Sequence, residues 1–162
     1  MLKSFAPVIN QKSKVLILGS MPGIKSLEAA QYYAHPYNRF WKIMAIICKY
    51  PDLDKANYEI KTKTLLKNGF ALWDVVKTCN RNGSLDTNIQ NVKPNNISDL
   101  IEKYPNINKI CCNGNKAFEL FNKYSKAIMQ EQKTEIIKLP STSPANAKYS
   151  FEMLLNEWIL VK

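Results

Sequence analysis

The sequence predicts an α/β fold, a three-layer α/β/α sandwich around a central four-stranded, largely parallel sheet. Three observations predict it. Four short apolar runs have the length and composition of strands, helical periodicities lie between and after them, and each run ends in a polar or Gly/Pro-rich turn. Strand alternating with helix is the pattern of a parallel sheet covered on both faces.

The first run, Val15–Leu18, is followed by Gly19-Ser20-Met21-Pro22-Gly23. Phe40, Trp41, Met44, Ile47 and Cys48 then recur at i, i+3, i+4 spacing, as one apolar helix face does. A second helical pattern covers Tyr58–Lys67 and leads to the second strand, Ala71–Val76, with Asp74 near its end. Helical spacing returns over Ile97–Tyr104 before the third strand, Lys109–Cys112. Asn113-Gly114-Asn115 separates that strand from a helix over Lys116–Tyr124. The fourth strand, Glu135–Leu139, precedes Pro140-Ser141-Thr142-Ser143-Pro144-Ala145-Asn146 and a final helix over Tyr149–Trp158. No repeat, linker or low-complexity tract interrupts this order. A single domain over residues 1–162 is expected, long enough to bury one sizeable core.

In sheets of this kind ligands sit beyond the carboxyl ends of the strands. Here all four ends are polar or turn-rich, and their convergence marks a candidate site. Plain turns need the same residue types, so that reading stands beside it.

Composition narrows the chemistry. Lysine and arginine number 23 against 13 acidic residues, a formal charge of +10 that would attract a polyanion such as nucleic acid. The lysines are scattered, so a composition bias explains the charge equally simply. The four cysteines, Cys48, Cys79, Cys111 and Cys112, show no C-x-x-C spacing, and adjacent strand residues face opposite ways. Zinc and iron–sulfur sites are therefore not expected, and the thiols read as buried and free. His35 is the only histidine, which excludes any site that needs two imidazoles. No apolar run approaches the ~20 residues of a membrane span, and the N-terminus has no secretory pattern. A soluble, cytoplasmic monomer without cofactor or metal is expected.

The first loop lacks the glycine spacing of a dinucleotide site and the Gly-Lys-Ser/Thr of a phosphate loop. No serine or cysteine stands in a nucleophile elbow, which removes the commonest hydrolase arrangement. More specific is Tyr32-Tyr33-Ala34-His35-Pro36-Tyr37-Asn38-Arg39-Phe40-Trp41. Asn38, just before the helix, reads from pattern alone as an N-cap. Tyr32, Tyr33 and Tyr37 suit either a core or a platform on which a base stacks.

Gly-Ser-Met-Pro-Gly, Tyr-Tyr-Ala-His-Pro-x-Asn-Arg-Phe-Trp and Leu-Pro-Ser-Thr-Ser-Pro-Ala-Asn together resemble the hypoxanthine-DNA glycosylases, a branch of the uracil-DNA glycosylase superfamily. Leu72-Trp73-Asp74-Val75 with Gly83-Ser84-Leu85-Asp86, and Asn113-Gly114, resemble the same branch, so the similarity runs from about Val15 to Ala147. His-Pro-x-Asn-Arg-Phe-Trp is also similar to the mismatch-specific uracil and thymine glycosylases. Two positions depart from the wider superfamily. Efficient uracil glycosylases carry an acid, and mismatch-specific ones an asparagine, where this chain has Met21; many members carry a base-bonding histidine where it has Leu139. Both departures fit the hypoxanthine branch.

The resemblance implies a monofunctional enzyme that hydrolyses the N-glycosidic bond of a base flipped out of DNA. It implies that Asn38 positions the water, that Tyr33 stacks on the base, and that Ser141, Thr142, Ser143, Pro144, Ala145 and Asn146 contact the strand. Donors of the loop Ser20, Met21, Pro22 and Gly23 can stabilise the departing base anion. Asp74 either reads the base edge or caps a turn, and Asn113 either touches the base or starts a helix. His35 either shapes its loop or contacts base or phosphate. Rival readings are a uracil or mismatch-specific glycosylase and, in another class, a non-catalytic nucleic-acid-binding α/β domain.

Overall fold

The structure of the chain, a computed structural model, describes residues 1–130 and 134–162. Four parallel strands form its central sheet: β2 (Val15–Gly19), β3 (Phe70–Asp74), β6 (Lys109–Asn113) and β7 (Glu135–Leu139), in the order β3-β2-β6-β7. The sheet is parallel throughout, where a largely parallel one was expected. Parallel strands buried on both faces read as continuous apolar runs, which explains why these segments stand out in the sequence.

Successive strand residues point to opposite faces and so feed two cores. Val15 and Ile17 of β2, Leu72 of β3 and Cys111 of β6 pack against α2 (Phe40–Ile47) and α7 (Phe151–Trp158), with Leu65 of α3 (Tyr58–Lys67). Leu16, Leu18, Ala71, Ile110 and Cys112 pack the other way, against α4 (Ile97–Lys103) and α5 (Asn115–Tyr124). The three layers follow from this alternation. The adjacent Cys111 and Cys112 therefore belong to different cores, both are fully buried, and burial pushes both thiols up to about 12.

The helices start where side chains satisfy their free N–H groups. Asn57 accepts from Ile60, Asn96 from Asp99 and Ser150 from Met153. Two short helices, α1 (Ile24–Ala29) and α6 (Lys126–Met129), leave too brief a pattern to be recognised in the sequence.

One strand differs from expectation. The run Ala71–Val76 is not a single strand: β3 ends at Asp74, and the chain turns at Val75 into β4 (Val76–Asn80). There β4 joins β1 (Leu2–Lys3) and β5 (Gln90–Pro94) in a second, antiparallel sheet of order β1-β4-β5. The break is fixed by Val75 and Val76 N–H groups that donate to the Gly19 and Ser20 carbonyls. It leaves Asp74 at the end of β3, beside Gly19 at the end of β2.

Candidate active site

The carboxyl ends of β2, β3 and β6 meet in a buried polar cluster. Gly19 and Asp74 are register partners, and a Cβ at Gly19 would lie 2.6 Å from the Asp74 Oδ1 and 3.5 Å from the Tyr33 hydroxyl. Only glycine lets the carboxyl lie across β2 at this point. Asp74 is 3% exposed, and its Oδ2 is sealed from solvent with no hydrogen-bond partner among the described residues. Burial, reinforced by the like charge of Asp86, pushes its carboxyl up to about 8 from the ordinary 3.8; Arg81 opposes this only partly.

Tyr33 approaches from the segment before α2. Its backbone is left-handed (φ 56°), an uncommon state for a bulky residue that is held here by neighbouring bonds. Tyr32 N–H donates to the Tyr58 hydroxyl, and Ala34 N–H to the Ser26 hydroxyl. The Tyr33 ring stacks on Phe40 at 4.0 Å, and its hydroxyl points toward Gly19, 3.5 Å from where a Cβ there would lie. Burial keeps that phenol protonated.

Asn113, at the end of β6, is turned toward the last loop. Its Oδ1 accepts the Thr142 N–H and its Nδ2 donates to the Thr142 hydroxyl, each at 3.0 Å. Thr142 is fully buried, and its carbonyl accepts the Arg39 N–H. The rest of the loop folds on itself: Ser141 Oγ accepts the Ser143 N–H, Ser143 Oγ accepts the Ala145 N–H, and Asn146 Nδ2 donates to the Ser141 carbonyl. Pro144 and Ala145 are exposed at the tip.

Asn38 directly precedes Arg39, whose N–H reaches the Thr142 carbonyl. The Asn38 Oδ1 accepts the Phe40 N–H at 2.9 Å, and the Asn38 N–H donates to the His35 carbonyl. The amide oxygen thus performs the cap-like bond anticipated from pattern, and an sp² oxygen keeps a second lone pair. His35 Nδ1 accepts the Tyr37 N–H at 3.1 Å, which shapes the turn before Asn38.

The first loop is fastened to the segment after β4 at three points. Ser20 donates to Asp86 Oδ1 at 2.6 Å, the Pro22 carbonyl accepts Arg81 Nη2 at 2.6 Å, and Ile24 N–H donates to the Ser84 hydroxyl. Met21 is 7% exposed in the core on the α5 side, and Gly23 sits against Ser84. Burial raises the Asp86 carboxyl as well, against the pull of Ser20 and Arg81. Leu139 is buried in the opposite core.

Two residues escaped the reading of the sequence. Arg81, 9% exposed, also donates from Nε to the Gly83 carbonyl and so binds both loops. Arg39 holds the last loop from the other side: its guanidinium donates to the Tyr149, Ser143 and Asn146 carbonyls. A signal was present. In a chain of 23 cationic residues only these two are arginine, the side chain whose planar fork can satisfy several carbonyls at once. Among the described residues no group of three or more His, Cys, Asp or Glu is placed to hold a metal.

The family model for the uracil DNA glycosylase superfamily matches residues 6–160. The chain belongs to the uracil DNA glycosylase superfamily. It is a DNA glycosylase, and the strand-end cluster occupies the place where such a sheet binds its ligand. Two curated members of similar sequence are each named hypoxanthine DNA glycosylase. The protein from Methanosarcina acetivorans is 36% identical over 148 residues, 91% of this chain and 90% of the relative. That from Methanosarcina barkeri is 37% identical over 146 residues, 90% of this chain and 89% of the relative. This glycosylase also resembles the solution NMR structure of a Methanosarcina acetivorans protein provisionally named a uracil DNA glycosylase. The TM-score is 0.82 at 33% identity, over 98% of this chain and 97% of that one. No helix among the described residues is long and apolar enough to cross a membrane.

Proposed function

We propose that this glycosylase removes hypoxanthine from DNA by a monofunctional, Asn-dependent hydrolysis. The observation that carries the reading is the fastening of the Ser141–Asn146 loop to the end of β6 through Asn113 and to the segment that carries Asn38 through the adjacent Arg39. Two relatives named for hypoxanthine, matched over about nine-tenths of the chain, support the choice of base.

DNA binds along the Ser141–Asn146 loop. Every polar group of Thr142 is engaged within the protein, so Thr142 supports the loop, and the strand is met by its neighbours. Ser141 and Ser143 use their oxygens as acceptors, which leaves each hydroxyl proton for a phosphate. Pro144 and Ala145 at the tip face the space vacated by the extruded base. The base enters against Tyr33, whose opposite face rests on Phe40.

The Phe40 N–H fixes the Asn38 amide in one orientation, and its remaining lone pair holds a water. As the glycosidic bond breaks the sugar gains oxocarbenium character, and the water oxygen bonds to C1′. The base departs with the bonding electrons, met by donors of the Ser20–Gly23 loop, and takes up a proton in place of the one the water sheds on bonding to C1′. No lysine is needed as a covalent nucleophile, so the strand stays intact.

Duplexes carrying a single hypoxanthine, uracil or xanthine test the reading. After incubation, alkali should break the hypoxanthine strand fastest, and without alkali no strand should break. Release of uracil alone would overturn the choice of base, and breakage without alkali would overturn the monofunctional mechanism.

A further inference from the structure

Gly83-Ser84-Leu85-Asp86 is explained by the fold at every position but one. Gly83 is left-handed (φ 76°), and its carbonyl accepts the Arg81 Nε. The Ser84 hydroxyl accepts the Ile24 N–H, and Asp86 Oδ1 accepts the Ser20 hydroxyl. Leu85 takes part in none of these side-chain bonds. It belongs to neither core and is 56% exposed, the one large apolar side chain in the stretch 81–88.

A lone exposed leucine is ordinary on a protein surface. The position of this one is not. Both of its sequence neighbours are pinned to the first loop, the loop assigned above to the departing base. The backbone beyond it is closed as well: Asn88 N–H donates to the Leu85 carbonyl, and Asn88 Nδ2 to the Asn82 carbonyl. The first loop follows β2 and the Ser141–Asn146 loop follows β7, with β6 between them. The two loops therefore start about 10 Å apart, two strand spacings. At the tip of the last loop the exposed apolar groups are only the Pro144 ring and the Ala145 methyl group.

We propose that Leu85 is a second apolar wedge, which enters the duplex beside the extruded nucleotide and keeps the orphaned partner base from closing the gap. Apolar side chains inserted between base steps unstack them and hold the duplex open. An extruded base leaves a void larger than Pro144 and Ala145 occupy, and Leu85 supplies bulk from the side of the first loop. In the free protein this side chain lies in water, and the stacked bases remove it from water. The pinning on either side keeps the wedge from yielding when base pairs press on it. Leu85 in this role presupposes the proposed extrusion of a base, whichever base is removed.

A duplex that already carries an abasic site tests it, because the gap is present and there is no base to read or release. Leu85→Ala should bind that duplex at least ~10-fold more weakly than the parent, the scale of an unburied leucine. Affinity for the intact duplex, set by phosphate contacts, should change less than ~2-fold. Leu85→Met keeps the apolar bulk and should stay within ~3-fold of the parent on the abasic duplex. Ile159→Ala is the control, a similarly exposed side chain next to Leu160, whose carbonyl accepts Lys109 Nζ at the start of β6; it should change neither affinity. A 2-aminopurine opposite the abasic site reports the partner base directly. Its fluorescence should rise when the parent saturates the duplex and stay low with Leu85→Ala. Unchanged affinity of Leu85→Ala for the abasic duplex, equal loss on both duplexes, equal loss in Ile159→Ala, or an equal fluorescence rise with both proteins would overturn the proposal. Release of uracil in place of hypoxanthine would sink the choice of base and leave every one of these readouts as it stands.

Discussion

Asn113 grips Thr142 with both ends of its amide, accepting the backbone N–H and donating to the hydroxyl at 3.0 Å each. This pair of hydrogen bonds fastens the buried residue of the last loop to the end of β6. Asn113→Ala leaves a buried N–H and a buried hydroxyl without partners, at a cost of about 1–3 kcal/mol apiece. Urea unfolding should show the loss, and hydrogen exchange at Thr142 should quicken while β2 amides keep their protection. Unchanged exchange at Thr142 would show that Arg39 alone suffices to hold the loop.

Asn38 has a cap-like bond in the structure and a catalytic part in the proposal, and substitution separates the two. Serine is as good a cap, and alanine costs about 1 kcal/mol. Asn38→Ser should therefore melt near the parent and bind DNA as well, yet release base at least ~100-fold more slowly in single turnover. A stable Asn38→Ser with near-parental rates would leave Asn38 as a cap only.

Gly19 and Asp74 form a steric pair. Gly19→Ala places a Cβ 2.6 Å from the Asp74 Oδ1, and overpacking of this kind costs about 1–3 kcal/mol. Asp74→Ala removes the obstacle. The double variant should then be more stable than the sum of the single losses predicts, by an interaction energy of about 1 kcal/mol or more in a double-mutant cycle. Strict additivity would mean that β2 shifts away from β3 instead.

Asp74 also links stability to pH. Its folded value, about 8, lies above the ordinary 3.8, so the folded chain binds this proton more tightly than the unfolded chain does. The contribution is fully present below about pH 4 and is lost as pH rises through about 8. Asp74→Asn escapes that loss. Its stability relative to the parent should grow between pH 5 and pH 8 and level off above, as read by urea unfolding at each pH. A difference that does not change with pH would place the proton elsewhere.

The charge of +10 has a direct test. Binding to an undamaged duplex should weaken with salt, with a log–log slope near −0.9 for each phosphate neutralised. A slope indistinguishable from zero would remove the electrostatic share of DNA binding.

What the sequence reveals of this fold depends on burial. β2 and β6 are buried on both faces, so Val15–Leu18 and Ile110–Cys112 are apolar throughout and legible. β5, Gln90-Asn91-Val92-Lys93-Pro94, is mostly exposed and has no apolar period, so nothing local distinguishes it from a loop. β3 and β4 merge in the sequence because Val75 and Val76 carry the apolar run through the turn without a glycine or proline. Residues at the strand ends, such as Asp74 and Asn113, are found from topology alone. Their partners are not: that Asn113 holds Thr142, or that Arg81 reaches back to Pro22, depends on chain segments far apart in sequence.

The order β3-β2-β6-β7 has a consequence for a chain still being made. β2 precedes both of its neighbours in the chain, and they end only at Asp74 and Asn113. Until Asn113 emerges, one edge of β2 stays open, and non-local pairing of this kind is slow and exposed to aggregation. The Arg39 clamp waits longer still, since its last carbonyl belongs to Tyr149. A nascent chain that already carries Arg39 therefore cannot complete the clamp on the Ser141–Asn146 loop until its final helix is due.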